Sequence, residues 1–254
     1  MPIHRHNLMG CPIDSYSFDE AVLEITSRIE DGNSTNLVHF LNVAKVVKAQ
    51  KDSCLHAALW DGDLVLADGK PLLPAAQGLG ITLPTRVNGT DLMEKLLEVC
   101  EKRHYKIYLF GAKQEVIEDC VRNIRKTYPN IQFAGYRNGY YAKNEIDGII
   151  ENINESHPDI LFVGLGTPQK ELFAYRYRNK FRVPIIQGAG GNFDVIAGFV
   201  KRAPKWMQIY GLEWLYRLRQ EPRRLFWRYL STNSKFMMLY AKQFLWRWKN
   251  KNKQ

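Results

Sequence analysis

The chain has 254 residues, 45% hydrophobic and 24% charged, which is the balance of a soluble globular protein with one sizeable core. It contains no run of about 18 consecutive apolar residues, and its first residues lack the apolar stretch of a signal peptide, so the composition excludes a single spanning helix and gives no sign of export. The net charge of +10 points to an anionic partner: a nucleic acid, a membrane surface or a phosphorylated substrate.

The cysteines and histidines offer no metal site. Cys11, Cys54, Cys100 and Cys120 are widely spaced and form no CxxC pair, so we expect reduced thiols in a cytosolic protein. The six histidines show none of the spacings of zinc ligands. The sequence therefore predicts neither a metal nor any other cofactor.

Short apolar runs alternate with amphipathic stretches over the first 200 residues. The runs predict strands at 35–40, 64–67, 106–110, 131–134, 159–163 and 184–187. The stretches between them predict helices at 18–29, capped by Ser17, and at 91–103, 115–128 and 144–156. This alternation is typical of an α/β fold, a Rossmann-like parallel sheet with helices on both faces.

Residues 201–254 differ from the rest and predict a C-terminal helical appendage to an α/β catalytic core at 1–200. They carry fourteen Lys and Arg against two acids, and five of the six tryptophans. Helices are expected at 204–219 and, after a break at Glu221-Pro222, at 222–248. The apolar residues of the second helix should lie roughly on one side of it: Leu225, Tyr229, Phe236, Leu239 or Tyr240, and Trp246.

This basic, aromatic appendage has three interpretations. Lys and Arg with aromatic side chains could bind nucleic acid through phosphate contacts and base stacking. The same residues could lie on an anionic membrane, or the helices could simply pack on the core with a solvated basic face. Because tryptophan prefers the headgroup zone of a bilayer, the composition favours the membrane.

Candidate catalytic residues follow the ends of predicted strands, where open α/β sheets bind their ligands. Asn42 follows the first strand and either caps the next helix or contacts a ligand. Asp68 follows the second strand and is either a general base or a turn residue before Gly69. Arg86 has no evident structural task and could bind an anion, while Thr90 or Asn88 could cap the helix that follows.

Two Gly-rich turns predict a nucleotide pocket at the same edge. Residues 164–171 and 188–194 each follow a strand, where glycines let the backbone approach a phosphate. Neither turn is a GxGxxG or Walker sequence, so the signal is weak. Asp61-Gly62-Asp63 matches the DxD of metal-dependent sugar transferases, but it precedes its strand and is more simply a turn.

The motifs of the C-terminal half make the chain resemble the WecG/TagA/CpsF family of glycosyltransferases. The most specific part of the resemblance runs from Arg202-Ala203-Pro204 through Gly211-Leu212-Glu213-Trp214 to Glu221-Pro222-Arg223-Arg224. The family's other motifs resemble segments at 68–69, 86–91, 164–166, 168–171 and 188–190. The resemblance extends from about Asn7 to Tyr229.

The resemblance implies an inverting, metal-independent enzyme at the cytoplasmic face of the bacterial inner membrane. It would transfer a sugar from a UDP-sugar to a polyprenyl-diphosphate-linked acceptor in the synthesis of a cell-surface polysaccharide. Such a protein is peripheral, contacts the anionic membrane rather than nucleic acid, and can form homo-oligomers. The resemblance does not identify the sugars, because N-acetylmannosamine, its uronic acid and glucose all occur as donors among similar proteins.

The same resemblance implies roles for individual residues. Asp68 would be the general base, with Asn42 beside it and Arg86 binding substrate. Arg217 and Arg224 of the appendage would stabilise the departing UDP in place of a metal and help to close the site as a lid. The expected substrate-binding set is Thr90, Gly164, Gly166, Thr167, Gln169, Gly190, Asn192 and Asp194.

One position departs from the family pattern, and one alternative function stays open. Phe40 stands where relatives often have Thr, which predicts a lost hydroxyl contact to acceptor or donor. Arg86 and Lys170 are the main cations that the core offers at this edge. The alternative is a non-catalytic α/β protein that binds nucleotides or nucleic acid.

Overall fold

The computed structural model describes residues 5–220 and 222–251, without the side chains of Arg224, Leu225 and Lys251. A hairpin of β1 (Arg5–Leu8) and β2 (Cys11–Asp14) opens the chain. The main sheet contains six parallel strands: β3 (Asn36–Leu41), β4 (Leu64–Ala67), β5 (Lys106–Gly111), β6 (Gln132–Arg137), β7 (Ile160–Gly164) and β8 (Ile185–Gly188). Their spatial order is β4-β3-β8-β7-β5-β6, and the central strands are buried on both faces, as parallel strands usually are.

The helices cover both faces of this sheet, which confirms the predicted Rossmann-like fold. They are α1 (Phe18–Asp31), α2 (Val43–Ala49), α3 (Ser53–Asp61), α4 (Leu72–Gly78), α5 (Gly89–Arg103), α6 (Gln114–Thr127), α7 (Ile146–Glu155), α8 (Gln169–Tyr177) and α9 (Asn192–Ile196). One apolar cluster joins α1, α5 and α6 to one face. Two further clusters join α2, α3 and α4, and α7 and α8, to the other face.

Local sequence signals explain several helix starts. Ser17 caps α1 in a capping box with Glu20, as the sequence predicts. Asn88, rather than Thr90, caps α5 by accepting hydrogen bonds from the first backbone amides of the helix. Asn42 caps α2 by accepting a hydrogen bond from the backbone N–H of Lys45 at 3.0 Å. The alternative in which Asn42 is a cap is therefore confirmed.

The described residues of the appendage form three helices rather than the two predicted: α10 (Lys205–Tyr210), α11 (Glu213–Gln220) and α12 (Pro222–Lys251). The expected single helix at 204–219 is wrong because Gly211 adopts a φ of +76° and ends α10. Glycine adopts this left-handed conformation without the steric cost that other residues meet.

Only part of the apolar side of α12 packs on the core. Phe236 is 4% exposed and joins the cluster of α2, α3 and α4, with Leu239 and Tyr240 beside it. Trp246, predicted to share this side, is 64% exposed. The helix extends past the core residues that contact Phe236, which leaves Trp246 largely exposed. Among the helices within 5–220 and 222–251, none combines the length and apolar composition that crossing a membrane requires.

Candidate active site

Two clefts open where the parallel strands end. A cleft of about 310 Å³ lies at the ends of β3 and β4, and the appendage forms its other wall. A wider cleft of about 1130 Å³ lies at the ends of β7 and β5. The sequence predicts one pocket at this edge, but β8 lies between β3 and β7 and separates the residues into two groups.

The first cleft brings together Asn42, Asp68 and Arg86, as expected from their strand-end positions. The turn at Gly69 lies against Asn42, where a Cβ on the glycine would be 3.6 Å from the Asn42 Cα. Asp68 donates its backbone N–H to the Leu41 carbonyl at 2.9 Å, which joins the two loops. Its carboxylate accepts a 3.4 Å hydrogen bond from the backbone N–H of Gly89 and keeps 27% of its side-chain exposure.

Burial raises the pKa of Asp68 above its ordinary value, since removal from water disfavours the charged carboxylate. The nearby charges of Arg86 and Lys45 oppose this rise, and Glu213 adds to it. A carboxylate with a raised pKa accepts a proton more readily than a fully solvated one. Asp68 therefore has the environment of a general base that faces an open cleft.

Arg86 holds the loop of Asp68 and also contacts the appendage. Its Nε donates to the Asp68 carbonyl at 3.0 Å, and its Nη2 lies 2.5 Å from Glu213 Oε2 and 3.9 Å from Asp68 Oδ1. The expectation that Arg86 has no structural task is therefore wrong. The guanidinium joins the core loop to α11 while part of it faces the cleft.

The appendage completes the first cleft with cationic and aromatic side chains. Arg217 lines it as expected, and Arg228 with Tyr229 lines it from α12. The predicted role of Arg224 falls on a side chain outside the described part of the protein. Sequence reasoning missed Arg228, although it follows Arg224 at helical spacing and would share its side of α12.

The first Gly-rich turn forms part of the wall of the second cleft. Gly164, Gly166, Gln169 and Asp194 line it together. Burial raises the pKa of Asp194. The remaining walls include cations and aromatic rings that the sequence did not point to: Lys113, Lys143, Arg176, Tyr140, Tyr141 and Tyr177. An aromatic cleft edged by cations suits a ligand with both a flat ring and negative charge.

Other predicted binding residues lie outside the walls of both clefts. Thr90 donates its hydroxyl to Asn192 Oδ1 at 2.8 Å, and Asn192 donates to the Gly89 carbonyl at 3.1 Å. These bonds fasten α9 to the start of α5. Thr167 and Gly190 instead border the side chain of Lys170, which lies between the clefts.

Phe40 does not face either cleft. Its ring is 4% exposed and packs in the core beside Gly89. Side chains alternate between the two faces of a strand, and position 40 points to the α1 and α5 face. The expected loss of a hydroxyl contact to substrate at this position is therefore not what the geometry indicates.

The Asp-Gly-Asp segment is a structural turn at the opposite edge of the sheet. Asp61 ends α3, and Arg178 pairs with Asp61 at 3.3 Å and with Asp63 at 2.8 Å. Asp63 also accepts the backbone N–H of Leu37 at 2.8 Å. Within 5–220 and 222–251, no group of three or more His, Cys, Asp or Glu side chains is arranged to hold a metal ion.

Comparison with known proteins gives a consistent result over nearly the whole chain. The model of the glycosyl transferase WecG/TagA/CpsF family matches residues 6–250. Over 195 residues the chain is 36% identical to the N-acetylglucosaminyldiphosphoundecaprenol N-acetyl-beta-D-mannosaminyltransferase of Bacillus subtilis (strain 168), covering 77% of this chain and 75% of that protein. Proteins of the same name from Bacillus spizizenii and Staphylococcus aureus (strain MW2) are 31% and 33% identical, with 91% and 86% of this chain covered and 90% and 86% of theirs.

Proposed function

The chain belongs to the WecG/TagA/CpsF family of glycosyl transferases, and we propose that it transfers a sugar from a UDP-sugar to a polyprenyl-diphosphate-linked saccharide with inversion. The names of its relatives favour N-acetylmannosamine as the transferred sugar and N-acetylglucosaminyl-diphosphoundecaprenol as the acceptor. The observation that carries the proposal is a carboxylate of raised pKa, Asp68, in a cleft whose other wall supplies arginines.

Asp68 acts as the general base in this reaction. It takes the proton of the acceptor hydroxyl as that oxygen attacks the anomeric carbon of the donor sugar. The bond from this carbon to the UDP oxygen breaks on the opposite face, so the configuration inverts. Removing a positioned base of this kind costs about 10²–10⁴-fold in rate.

UDP leaves with additional negative charge, which the cleft neutralises with arginines. Arg217 and Arg228 face the same space as Asp68, and Arg224 is a further candidate from the same helix as Arg228. Guanidinium groups suit this task because their planar donors match phosphate oxygens. The arginines would then do the work that a divalent cation does in metal-dependent transferases.

The appendage also supplies the contact with the membrane that carries a lipid-linked acceptor. Its exposed side chains include Trp206, Trp227, Trp246 and Trp248, interspersed with Lys and Arg. Tryptophan partitions to the headgroup zone and basic side chains are attracted to anionic lipid. We therefore expect a peripheral protein at the membrane face where the acceptor is made, the cytoplasmic one.

The test is transfer from a panel of UDP-sugars to N-acetylglucosaminyl-diphosphoundecaprenol, read by mass spectrometry in the presence of EDTA. We expect product with UDP-N-acetylmannosamine, and an Asp68→Asn variant should lose about 10²–10⁴-fold in kcat while it still binds UDP. Asp119→Asn on the outer surface of α6 is the matched control and should be unaffected. Normal turnover by Asp68→Asn would remove Asp68 as the base, and binding of single-stranded RNA without UDP binding would favour the non-catalytic alternative.

A further inference from the structure

The turn after β8 lies between the two clefts. The first cleft is at the ends of β4 and β3, the second is at the ends of β7 and β5, and β8 is the strand between β3 and β7. A ligand that occupies both clefts must therefore cross the turn at Gly188–Gly190. The proposed donor is such a ligand if its uridine lies among the aromatic rings of the second cleft and its sugar reaches Asp68.

The Lys170 side chain packs against this turn. A Cβ on Gly188 would lie 3.1 Å from Lys170 Cδ, and a Cβ on Gly190 would lie 3.7 Å from Lys170 Nζ. The side chain is 9% exposed, and its ammonium donates to Thr167 Oγ1 and lies 3.1 Å from Glu171 Oε1. A largely buried ammonium therefore lies beside the backbone turn that separates the clefts.

Glu171 is shared between two ammonium groups. Its Oε1 is 2.7 Å from Lys45 Nζ as well as 3.1 Å from Lys170 Nζ, and the carboxylate is fully buried. Lys45 also donates to the Phe40 carbonyl, which fixes it to the end of β3. Two cations and one anion leave this buried cluster with an excess positive charge, and buried charges interact with a ligand more strongly than solvated ones.

We propose that Lys170 binds the diphosphate of the donor as it crosses the β8 turn, with Glu171 and Lys45 as positioning residues. This inference rests on the proposed function and assigns the place of the diphosphate in it. The ammonium would contact a phosphate oxygen, and Glu171 would hold the ammonium at the turn. The arginines of the appendage then act on the departing phosphate from the opposite side.

The pH at which Lys170 loses its proton provides a measurable test of this role. Burial and Lys45 lower the pKa of Lys170 to about 8, against the attraction of Glu171 and Asp68. Despite its burial, Glu171 stays ionised because Lys45 and Lys170 lower its pKa to about 2, and burial lowers the pKa of the neighbouring His39 to about 4. Lys170 thus loses its charge near pH 8, and diphosphate affinity should fall as the pH rises through that value.

The experiment is calorimetric titration of the full chain with UDP at pH 7 and pH 9. Wild type should lose affinity between the two values, whereas Lys170→Arg, whose guanidinium stays charged, should not. Lys170→Met should weaken UDP binding at pH 7 by about tenfold or more, the usual effect of losing a charge-assisted hydrogen bond, and should remove the pH dependence. Lys48→Met, an exposed lysine of α2, is the matched control and should behave as wild type.

A positioning role for Glu171 has its own readout. Glu171→Gln removes the carboxylate that raises the pKa of Lys170, so the loss of UDP affinity should move to lower pH. Circular dichroism at each pH identifies variants that unfold. If Lys170→Met is one of them, the pH dependence of UDP binding is compared between the wild type and Lys170→Arg to test the role of Lys170. Ionisation of UDP itself is common to all variants and does not affect that comparison.

Failure of this inference is distinguishable from failure of the proposed function. If Lys170→Met, or Lys170→Arg where Met unfolds, binds UDP with wild-type affinity and wild-type pH dependence, Lys170 does not bind the diphosphate. Transfer by the wild type would leave the proposed function standing in that case. If the wild type neither binds UDP nor transfers a sugar, the proposed function fails and the inference fails with it.

Discussion

The core and the appendage have opposite balances of charge and burial. Residues 201–254 carry fourteen basic and two acidic side chains, so the first 200 residues have a small negative net charge within a total of +10. Of the twenty large hydrophobic side chains that are exposed in the described residues, fourteen lie between Trp206 and Trp248. The core buries most of its large apolar side chains, whereas the appendage exposes many of its own next to its Lys and Arg side chains.

This difference divides the chemistry between the two regions. The core supplies the carboxylate, Asp68, whose raised pKa depends on burial, and the appendage supplies cations, which would be costly to bury without partners. The contacts that join them are both apolar and polar: Phe236 packs in a core cluster, Arg86 pairs with Glu213, and Arg202 pairs with Asp91. Changes to the exposed and cationic side chains of the appendage should therefore affect the reaction and membrane binding, whereas a change at buried Phe236 should affect stability.

Among changes in the appendage, the largest expected effect is on catalysis and comes from an arginine in the first cleft. Arg217→Ala should lower kcat by about 10²–10³-fold, the usual cost of removing a donor that stabilises charge on a leaving group. Arg219→Ala, on the same helix but outside the cleft, is the control and should retain activity. Steady-state kinetics of both variants measure the difference, and equal activities would mean that the core acts without this arginine.

The next effect concerns the apolar contact that attaches α12. Phe236→Ala should lower the free energy of unfolding by about 3 kcal/mol, because the ring is 4% exposed within the core cluster. The neighbouring Met237 is 59% exposed, so Met237→Ala should change stability by no more than about 0.5 kcal/mol. Urea unfolding of the two variants gives both values. A small loss in Phe236→Ala would show that polar contacts alone hold the appendage.

The sequence predicts the core better than the junction with the appendage. Each strand of the sheet follows from a local apolar run, and Asn42 and Asp68 meet because parallel strands end at one edge. The β1–β2 hairpin was missed because it turns at Met9 and Gly10, and Met9 adopts a positive φ that its residue type does not favour.

Spatial order and long-range pairing could not be predicted. No local signal places β8 between β3 and β7, so one pocket was expected where two clefts occur. The pairing of Lys45 with Glu171 joins two helices that are far apart in the chain, and no sequence motif indicates that these two residues meet. The structural role of Arg86 could not be predicted for the same reason, because its partner Glu213 is more than 120 residues away in the chain.

A smaller effect is expected on membrane binding. Trp246 and Trp248 are 64% and 57% exposed at the end of α12. Replacing both with Ser should weaken binding to vesicles that contain anionic lipid by about thirtyfold, since each lost aromatic surface contributes on the order of 1 kcal/mol. Leu23→Ser is the control, because Leu23 is also 64% exposed but lies on α1 of the core. If co-sedimentation falls equally in both, the appendage is not the membrane surface.

The smallest expected effect is a shift in pH dependence across the junction. Glu213 contributes to the raised pKa of Asp68, and its carboxylate shares the Arg86 guanidinium with Asp68. Glu213→Gln should therefore lower the pKa of Asp68. Because the base must be ionised to act, the acid limb of the profile of kcat/KM should move to lower pH.

The matched control for this shift also breaks an ionic contact between core and appendage. Glu94→Gln removes one of the two carboxylates that pair with Arg202, the one at 3.4 Å, and Glu94 is not among the groups that shift the pKa of Asp68. The acid limb of the kcat/KM profile of Glu94→Gln should stay at the wild-type pH. If both variants move the limb equally, loosening of the appendage is the cause, and if neither moves it, the titration of Asp68 does not limit the reaction. A shift confined to Glu213→Gln would mean that the appendage sets the basicity of the core carboxylate as well as supplying cations.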